Sequence, residues 1–252
     1  MNIHHIRNAT LVVEYAGKKF LIDPFLAEKG TYPPFPNSAR QDQKNPLVNL
    51  PVSIEDIIDV DAVIVTHLHL DHWDDAAKEA LPKDIKLFTQ NGEDAKEIQS
   101  AGFRNVEVLQ EDTIFEGIQL FKTKGEHGRG GILKLTGLVC GVVFKHENEK
   151  TLYVAGDTVW YEAVQEVIEK HKPEVIVVNA GDNQFQEGGS LVMGREDVYA
   201  VHEAAPNAKI IAVHMEAVNH WGLSREELKS FLDEKGFSSH VFVPADGESY
   251  TF

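Results

Sequence analysis

Short apolar runs, each closed by glycine, proline or a polar pair, recur along this chain, and between many of them the apolar residues fall at helical spacing. Thr10 to Tyr15 and Lys18 to Ile22 are β-rich runs joined by Ala16-Gly17, which predicts a hairpin that Asp23-Pro24 ends. From Phe25 to Pro51 the periodicity disappears, and five prolines (Pro33, Pro34, Pro36, Pro46, Pro51) interrupt the segment. So long a structureless stretch is either a lid or binding loop, or a surface insertion with no role. Beyond it, Ser53 is expected to cap a helix through Ile58. Ala62 to Thr66 reads as a buried strand, Asp74 to Ala80 as a helix, Lys86 to Thr89 as a strand, and Glu93 to Ser100 as a helix stopped by Gly102. A β-rich block follows: Asn105 to Leu109, Ile118 to Lys124, Gly131 to Leu135, Leu138 to Lys145 and Thr151 to Ala155.

The last third alternates. Trp160 to Lys170 and Arg195 to Ala204 read as helices, and Val175 to Asn179 and Lys209 to Val213 as strands. Ser224 with Glu227 forms a capping box for another helix, and Val241 to Val243 is expected to be the last strand. β-rich then α/β, twice over, fits two mixed sheets packed face to face with helices outside, in one domain over 1–252. Periodicity alone does not select that layout over other α/β arrangements.

Composition narrows the function. A formal charge of −16 over 252 residues argues against long nucleic acids and anionic membranes as partners. The single cysteine, Cys140, cannot form an internal disulfide, and no apolar run approaches the roughly 20 residues of a bilayer span. With no signal-like segment at Met1 to Arg7, a cytoplasmic protein is expected.

The chemistry concentrates in His67-Leu68-His69-Leu70-Asp71-His72, directly after the strand that begins at Ala62. If the segment stays extended, His67, His69 and Asp71 point to one side, and His72 must turn back at the start of the next helix. Imidazole and carboxylate without thiolate suit zinc, or manganese or iron, in a site with open positions. Four ligands on one loop cannot enclose two metals, so others should recur at later strand ends. His127 follows Lys124, Asp157 follows Ala155, and His214 follows Val213, each at the C-terminal end of an apolar strand.

With His127, Gly156-Asp157-Thr158 and His214, this HxHxDH pattern resembles the metallo-β-lactamase fold superfamily. The resemblance extends over nearly the whole chain. Asp23-Pro24-Phe25-Leu26 and Met193-Gly194-Arg195-Glu196-Asp197 are similar to the metal-dependent hydrolase branch that includes L-ascorbate-6-phosphate lactonase. The resemblance implies a four-layer αβ/βα sandwich with its site at one edge of the sheets. It also implies one metal on His67, His69 and His127, a second on Asp71, His72 and His214, and Asp157 bridging. Two metals about 3.5–4 Å apart hold a hydroxide that attacks a carbonyl or phosphoryl centre, and Asp71 can orient it. Near the last ligand stands a second histidine, His220, which can bind substrate, protonate a leaving group or replace His214.

Other residues carry weaker signals. His4, His5, His146, His171, His202 and His240 read as structural. Asp182, Asn183, Arg129, Trp160, Tyr161 and Trp221 are candidates to line the pocket, and Cys140 reads as buried. The expected function is hydrolysis of a small, anionic ester, lactone or phosphodiester with two divalent ions, zinc first. An RNA-acting phosphodiesterase and a non-hydrolytic di-iron module are the alternatives. The proline-rich loop is a candidate interface for a homo-oligomer.

Overall fold

All four residues of Ala62–Val65 are buried, yet Ala62 and Ile64 join one apolar cluster while Val63 and Val65 join another. A strand's side chains alternate between faces, so this sheet is covered on both sides. The structure, a computed structural model, describes residues 1–252. Its first half contains β1 (Asn2–Arg7), β2 (Thr10–Tyr15), β3 (Lys18–Ile22), α1 (Ile54–Ile58), β4 (Ala62–Val65), α2 (Asp75–Ala80), β5 (Lys86–Thr89), α3 (Gly92–Ser100) and β6 (Val106–Val108). The second contains β7 (Thr113–Phe115), β8 (Ile118–Lys124), a 3-10 turn (Gly130–Ile132), α4 (Leu133–Thr136), β9 (Cys140–Lys145), β10 (Leu152–Val154) and α5 (Glu162–His171). It continues through β11 (Val175–Asn179), α6 (Arg195–Ala204), β12 (Lys209–Val213), α7 (Arg225–Lys235) and β13 (Val241–Phe242). A final strand, β14 (Ser249–Thr251), crosses back to pair with β1.

Two seven-stranded mixed sheets result, ordered β14-β1-β2-β3-β4-β5-β6 and β13-β12-β11-β10-β9-β8-β7. Phe20, Ile64, Phe144, Val154, Val177 and Ile211 fill the space between them. Each such side chain contributes about 1.5–3 kcal/mol on burial. Outside the first sheet, Val63 and Leu87 pack against Ile57, Ala77 and Ile98 of α1, α2 and α3. Outside the second, Ile176 and Ile210 pack against Val164, Val201 and Leu228 of α5, α6 and α7. This is the four-layer αβ/βα sandwich that the family resemblance implies and the sequence pattern fits.

Some local expectations fail. Gly131 to Leu135 is a helical turn instead of a strand: Gly130 sits at φ +62°, β8 pairs directly with β9, and Leu135 is exposed. An apolar run this short does not separate helix from strand. β13 is not the last strand, because Ser249–Thr251 pairs with Asn2–His4. β7 also went unread, since three residues give no usable period. Residues 25–51 form no helix or strand beyond isolated bridges such as Tyr32 with Asn45. Buried Arg7 anchors this loop by donating to the carbonyls of Phe25 (2.6 Å), Ala27 (2.9 Å) and Val48 (3.0 Å). No helix is long and apolar enough to cross a membrane.

Candidate metal centre

The chain leaves β4 at Val65 and does not stay extended. The amides of His72 and Trp73 both donate to the carbonyl of His69 at 2.9 Å, so the backbone turns. His67, His69 and Asp71 therefore do not form one row. His67 and His69 group with His127, from the loop after β8, and Asp71 and His72 group with His214, from the end of β12. Asp157, after β10, lies between the groups. Its Oδ2 is 3.2 Å from His72 Nε2, 3.5 Å from His127 Nε2 and 3.8 Å from His67 Nε2, while its Oδ1 is 3.7 Å from His214 Nε2. Asp71 Oδ2 is 3.2 Å from His214 Nε2, which is also 3.2 Å from His72 Nε2.

Partners behind these side chains fix their orientation. Asp23, at the end of β3, accepts from the Thr66 amide and hydroxyl, both at 2.7 Å, and from His72 Nδ1 at 2.8 Å. The Thr66 hydroxyl, its own proton committed to Asp23, accepts from His67 Nδ1 at 3.1 Å. His127 Nδ1 donates to the Leu191 carbonyl at 2.9 Å. In all three rings the δ proton is engaged, so the ε nitrogen is left to face Asp157. Asn8 donates to the backbone carbonyl (3.0 Å) and carboxylate (3.3 Å) of Asp71, and its carbonyl accepts the His214 amide at 2.9 Å. Asn179, closing β11, donates to Asp157 Oδ1.

Asn8, Asp23, His214 and Glu216 all have φ between +46° and +63°. Such backbone strain is tolerated where surrounding contacts over-determine the geometry. In the sequence Asn8, Thr66 and Asn179 carry no ligand-like motif, and Asp23 marks a strand end and part of the family resemblance. Their one available signal was position: each ends a strand or turn at the same sheet edge.

The electrostatics are those of crowded opposite charges. Burial and the neighbouring imidazoles push His67 down, and burial pushes His69 down to about 4. Burial opposes ionisation of Asp71 and Asp157, but His72 and His214 outweigh it and hold both carboxyls well below their usual range. Burial also disfavours charge on His72, yet Asp157, Asp23 and Asp71 hold its pKa well above the ordinary imidazole value. His214 is raised against burial by Asp157 and Asp71 in the same way.

His220 belongs to neither donor group. Its ring meets Phe35 edge-on at 4.7 Å and stacks on Phe185 at 6.1 Å. Phe35 comes from the proline-rich loop, which Asn219 holds through the Phe35 amide (2.8 Å), Ser38 (2.9 Å) and Asn45 (3.0 Å). Beside His127, a cavity of about 800 Å³ is lined by Pro36, Arg129, Ile132, Leu135, Phe185 and Gly188, among others. Gly128, at φ +114°, makes room for this wall, since a Cβ there would lie 2.4 Å from Ile132. Arg129 donates to the Trp160 carbonyl at 2.8 Å and pairs with Asp197 at 3.8 Å.

Most other candidates pack structurally. His5 spans the carbonyls of Ala245 (3.2 Å) and Asn8 (3.0 Å), His171 packs on Phe121, and His202 and His240 cluster beside Phe237. Trp160 and Tyr161 pack on the outer core, and Trp221 lies under the Arg40 guanidinium. Cys140 is buried, and burial pushes its thiol up.

Two sheets covered by helices, with histidines and aspartates gathered at their common edge, define a metal-site hydrolase class, and known proteins agree. The β-lactamase superfamily domain matches residues 18–215. The chain belongs to that superfamily and, within it, to the UPF0173 metal-dependent hydrolase family. The UPF0173 protein YddR of Bacillus subtilis (strain 168) is 70% identical over 254 residues, covering 100% of both chains. The isothiocyanate hydrolase from Delia radicum gut bacteria has the same fold at TM-score 0.96 and 46% identity, covering 100% of this chain and 99% of that one. A protein of Veillonella parvula DSM 2008, described as a possible metal-dependent hydrolase, superposes with TM-score 0.98 at 42% identity, with the same coverage.

Proposed function

We propose that this protein hydrolyses small uncharged electrophiles with an apolar tail, using two divalent cations, zinc first. The observation that carries this reading is Asp157, whose Oδ2 lies between His67 and His127 of one group and His72 of the other, while its Oδ1 turns towards His214. His67, His69 and His127 would hold one cation, Asp71, His72 and His214 the other, and Asp157 would be shared. The donors fit: His67 Nε2 is buried with no hydrogen-bond partner, and the δ protons of His67, His72 and His127 are engaged elsewhere. Asp157, Asp71 and Asp23 raise His72, and Asp157 and Asp71 raise His214, which supports a site that holds positive charge. When bound, such cations lower the pKa of water at the site towards neutrality and polarise an electrophile.

The chain's own residues do the rest. Asn8 fixes the Asp71 carboxylate, which orients the attacking water. Pro36, Ile132 and Phe185 offer apolar surface to a substrate tail in the cavity beside His127, and Phe35 packs on His220. Arg129, the cationic side chain in that lining, is tied to Trp160 and Asp197, and a net charge of −16 repels anions. The apolar lining and the tied Arg129 are why we favour an uncharged substrate. Similarity to an isothiocyanate hydrolase adds a chemical class, R–N=C=S. Water adds to its central carbon and gives both its protons to the nitrogen, so that C–N cleavage releases the amine R–NH2 and carbonyl sulfide.

Elemental analysis of the purified protein, followed by turnover of benzyl isothiocyanate, phenyl acetate, a lactone and a phosphodiester, tests this. We expect about two metals per chain and turnover of a neutral probe, abolished by chelation and by Asp71→Ala. Turnover that survives both treatments refutes the mechanism, and iron with reversible redox would favour the di-iron alternative.

A further inference from the structure

His220 and Asn183 are both buried, and together they leave two polar atoms without a partner: His220 Nδ1 and Asn183 Oδ1. The side-chain amide of Asn183 donates to His220 Nε2 at 3.3 Å. A neutral imidazole that accepts at Nε2 carries its proton on Nδ1. Burial keeps this ring neutral, pushing it down to about 4, although Asp71 and Asp157 pull the other way. The result is a buried N–H donor with no acceptor in the protein, which costs about 1–3 kcal/mol unless something else accepts from it.

The surroundings hold that ring still. Phe35 packs on it edge-on at an interplanar angle of 76°, and Phe185 lies nearly parallel at 19°. The Gln184 amide donates to the His220 carbonyl at 2.9 Å, and the Leu191 amide donates to the Asn183 carbonyl at 2.8 Å. Leu191 in turn accepts from His127 through its own carbonyl. One loop thus positions a candidate metal ligand and the partner of His220.

We propose that His220 Nδ1–H is a substrate hydrogen-bond donor, aimed at the atom of the electrophile where negative charge develops, and that Asn183 is the positioning residue that selects this tautomer. The proposal rests on the hydrolase reading above. It restricts the substrate to electrophiles that end in an acceptor, such as the sulfur of an isothiocyanate or the oxygen of an ester carbonyl. His220 itself transfers no proton in this role. The neutral ring stabilises charge as an oxyanion-hole donor does, and removing one such donor costs about 100- to 1,000-fold in kcat.

Side-chain geometry supplies the test. Asn places its amide nitrogen near the Nδ1 position of histidine, whereas Gln reaches the Nε2 position. With unchanged metal content, His220→Ala is expected to lose about 100-fold in kcat with little change in KM. His220→Asn should recover most of that loss and His220→Gln should not. Independently of turnover, two-bond proton–nitrogen correlation spectra of the zinc-loaded wild type should show His220 as the Nδ1–H tautomer, and Asn183→Leu should convert it to a mixture. An Nε2–H tautomer in the wild type, better rescue by Gln than by Asn, or metal loss in His220→Ala overturns the donor assignment. A wild type that turns over none of the probes refutes the hydrolase reading and the donor with it, whereas the wrong tautomer refutes the donor alone. Should His220→Ala fail to fold, the wild-type spectrum decides.

Discussion

Asp23 touches none of the incoming chemistry, yet Asp23→Asn should remove half of the centre. The carboxylate is 2% exposed and accepts three hydrogen bonds, from the Thr66 amide, the Thr66 hydroxyl and His72 Nδ1. An amide has the same shape but only one oxygen. If its nitrogen faces the Thr66 amide, two donors collide. If it faces His72, it donates to Nδ1 and drives the imidazole proton to Nε2, the atom turned towards Asp157. Either orientation strands a buried polar group at a cost of about 1–3 kcal/mol. The second orientation also blocks a metal-facing lone pair, and losing such a supporting partner weakens metal binding about 10- to 100-fold. Competition of zinc between the protein and a chromophoric chelator would resolve the two affinities. The step that depends on Asp71, His72 and His214 should fall by that factor, and binding by His67, His69 and His127, which Asp23 supports only through Thr66, should fall less. Two cations bound with wild-type affinities by a folded Asp23→Asn protein would refute the assigned role of Asp23.

Three further outcomes are expected. Saturating zinc at about 1,000 times Kd adds about 4 kcal/mol, so chelation should lower the melting temperature on the order of 10 °C in scanning calorimetry; no shift would mean that no cation binds the folded state selectively. His171 is pushed down to about 4, by burial first and by Lys145 and Lys170 second, while the unfolded chain takes up that proton near 6.5. Stability should therefore drop as pH falls from 6.5 towards 4, and the drop in urea midpoint between pH 7 and pH 4.5 should be smaller in His171→Gln; equal drops would exclude this residue as a source. Arg40 donates to the carbonyls of Asn219 (3.1 Å) and Trp221 (2.7 Å) and lies 3.5 Å over the Trp221 ring, so Arg40→Ala should loosen the proline-rich loop and speed tryptic cleavage at Lys44 about tenfold, whereas unchanged cleavage would show that the loop is held by other contacts.

The extent to which the sequence disclosed this arrangement depended on whether the signal was local. Strands such as Val175–Asn179 are continuous apolar runs, so their buried state and the position of their ends could be read directly. The residues just beyond those ends, His127, Asp157 and His214, were legible for that reason. Partners joined across the chain were not. Asn8 reaches Asp71 over 63 positions, and β1 pairs with β14 through Ile3 and Tyr250; no local period encodes either contact. The grouping of His67 with His69 but not with Asp71 depended on a turn closed by the His69 carbonyl, within a segment whose alternation suggested a strand. Asn183 was noticed as a pocket candidate, but its link to His220 needed the loop between β11 and α6 to be in place.

Each donor group of the centre takes members from both sheets: His67, His69, Asp71 and His72 follow β4 of the first, and His127, Asp157 and His214 follow strands of the second. A cation held there works as a clasp between the two halves, and assembly of the site and docking of the sheets become a single event. The inter-sheet core then acts on the centre from a distance. Trimming Phe144, which meets Phe20 edge-on at 5.1 Å, would leave a cavity into which the sheets relax, shifting the two halves of the ligand set against each other without altering any ligand. Variation in this core is therefore expected to change metal affinity as well as stability.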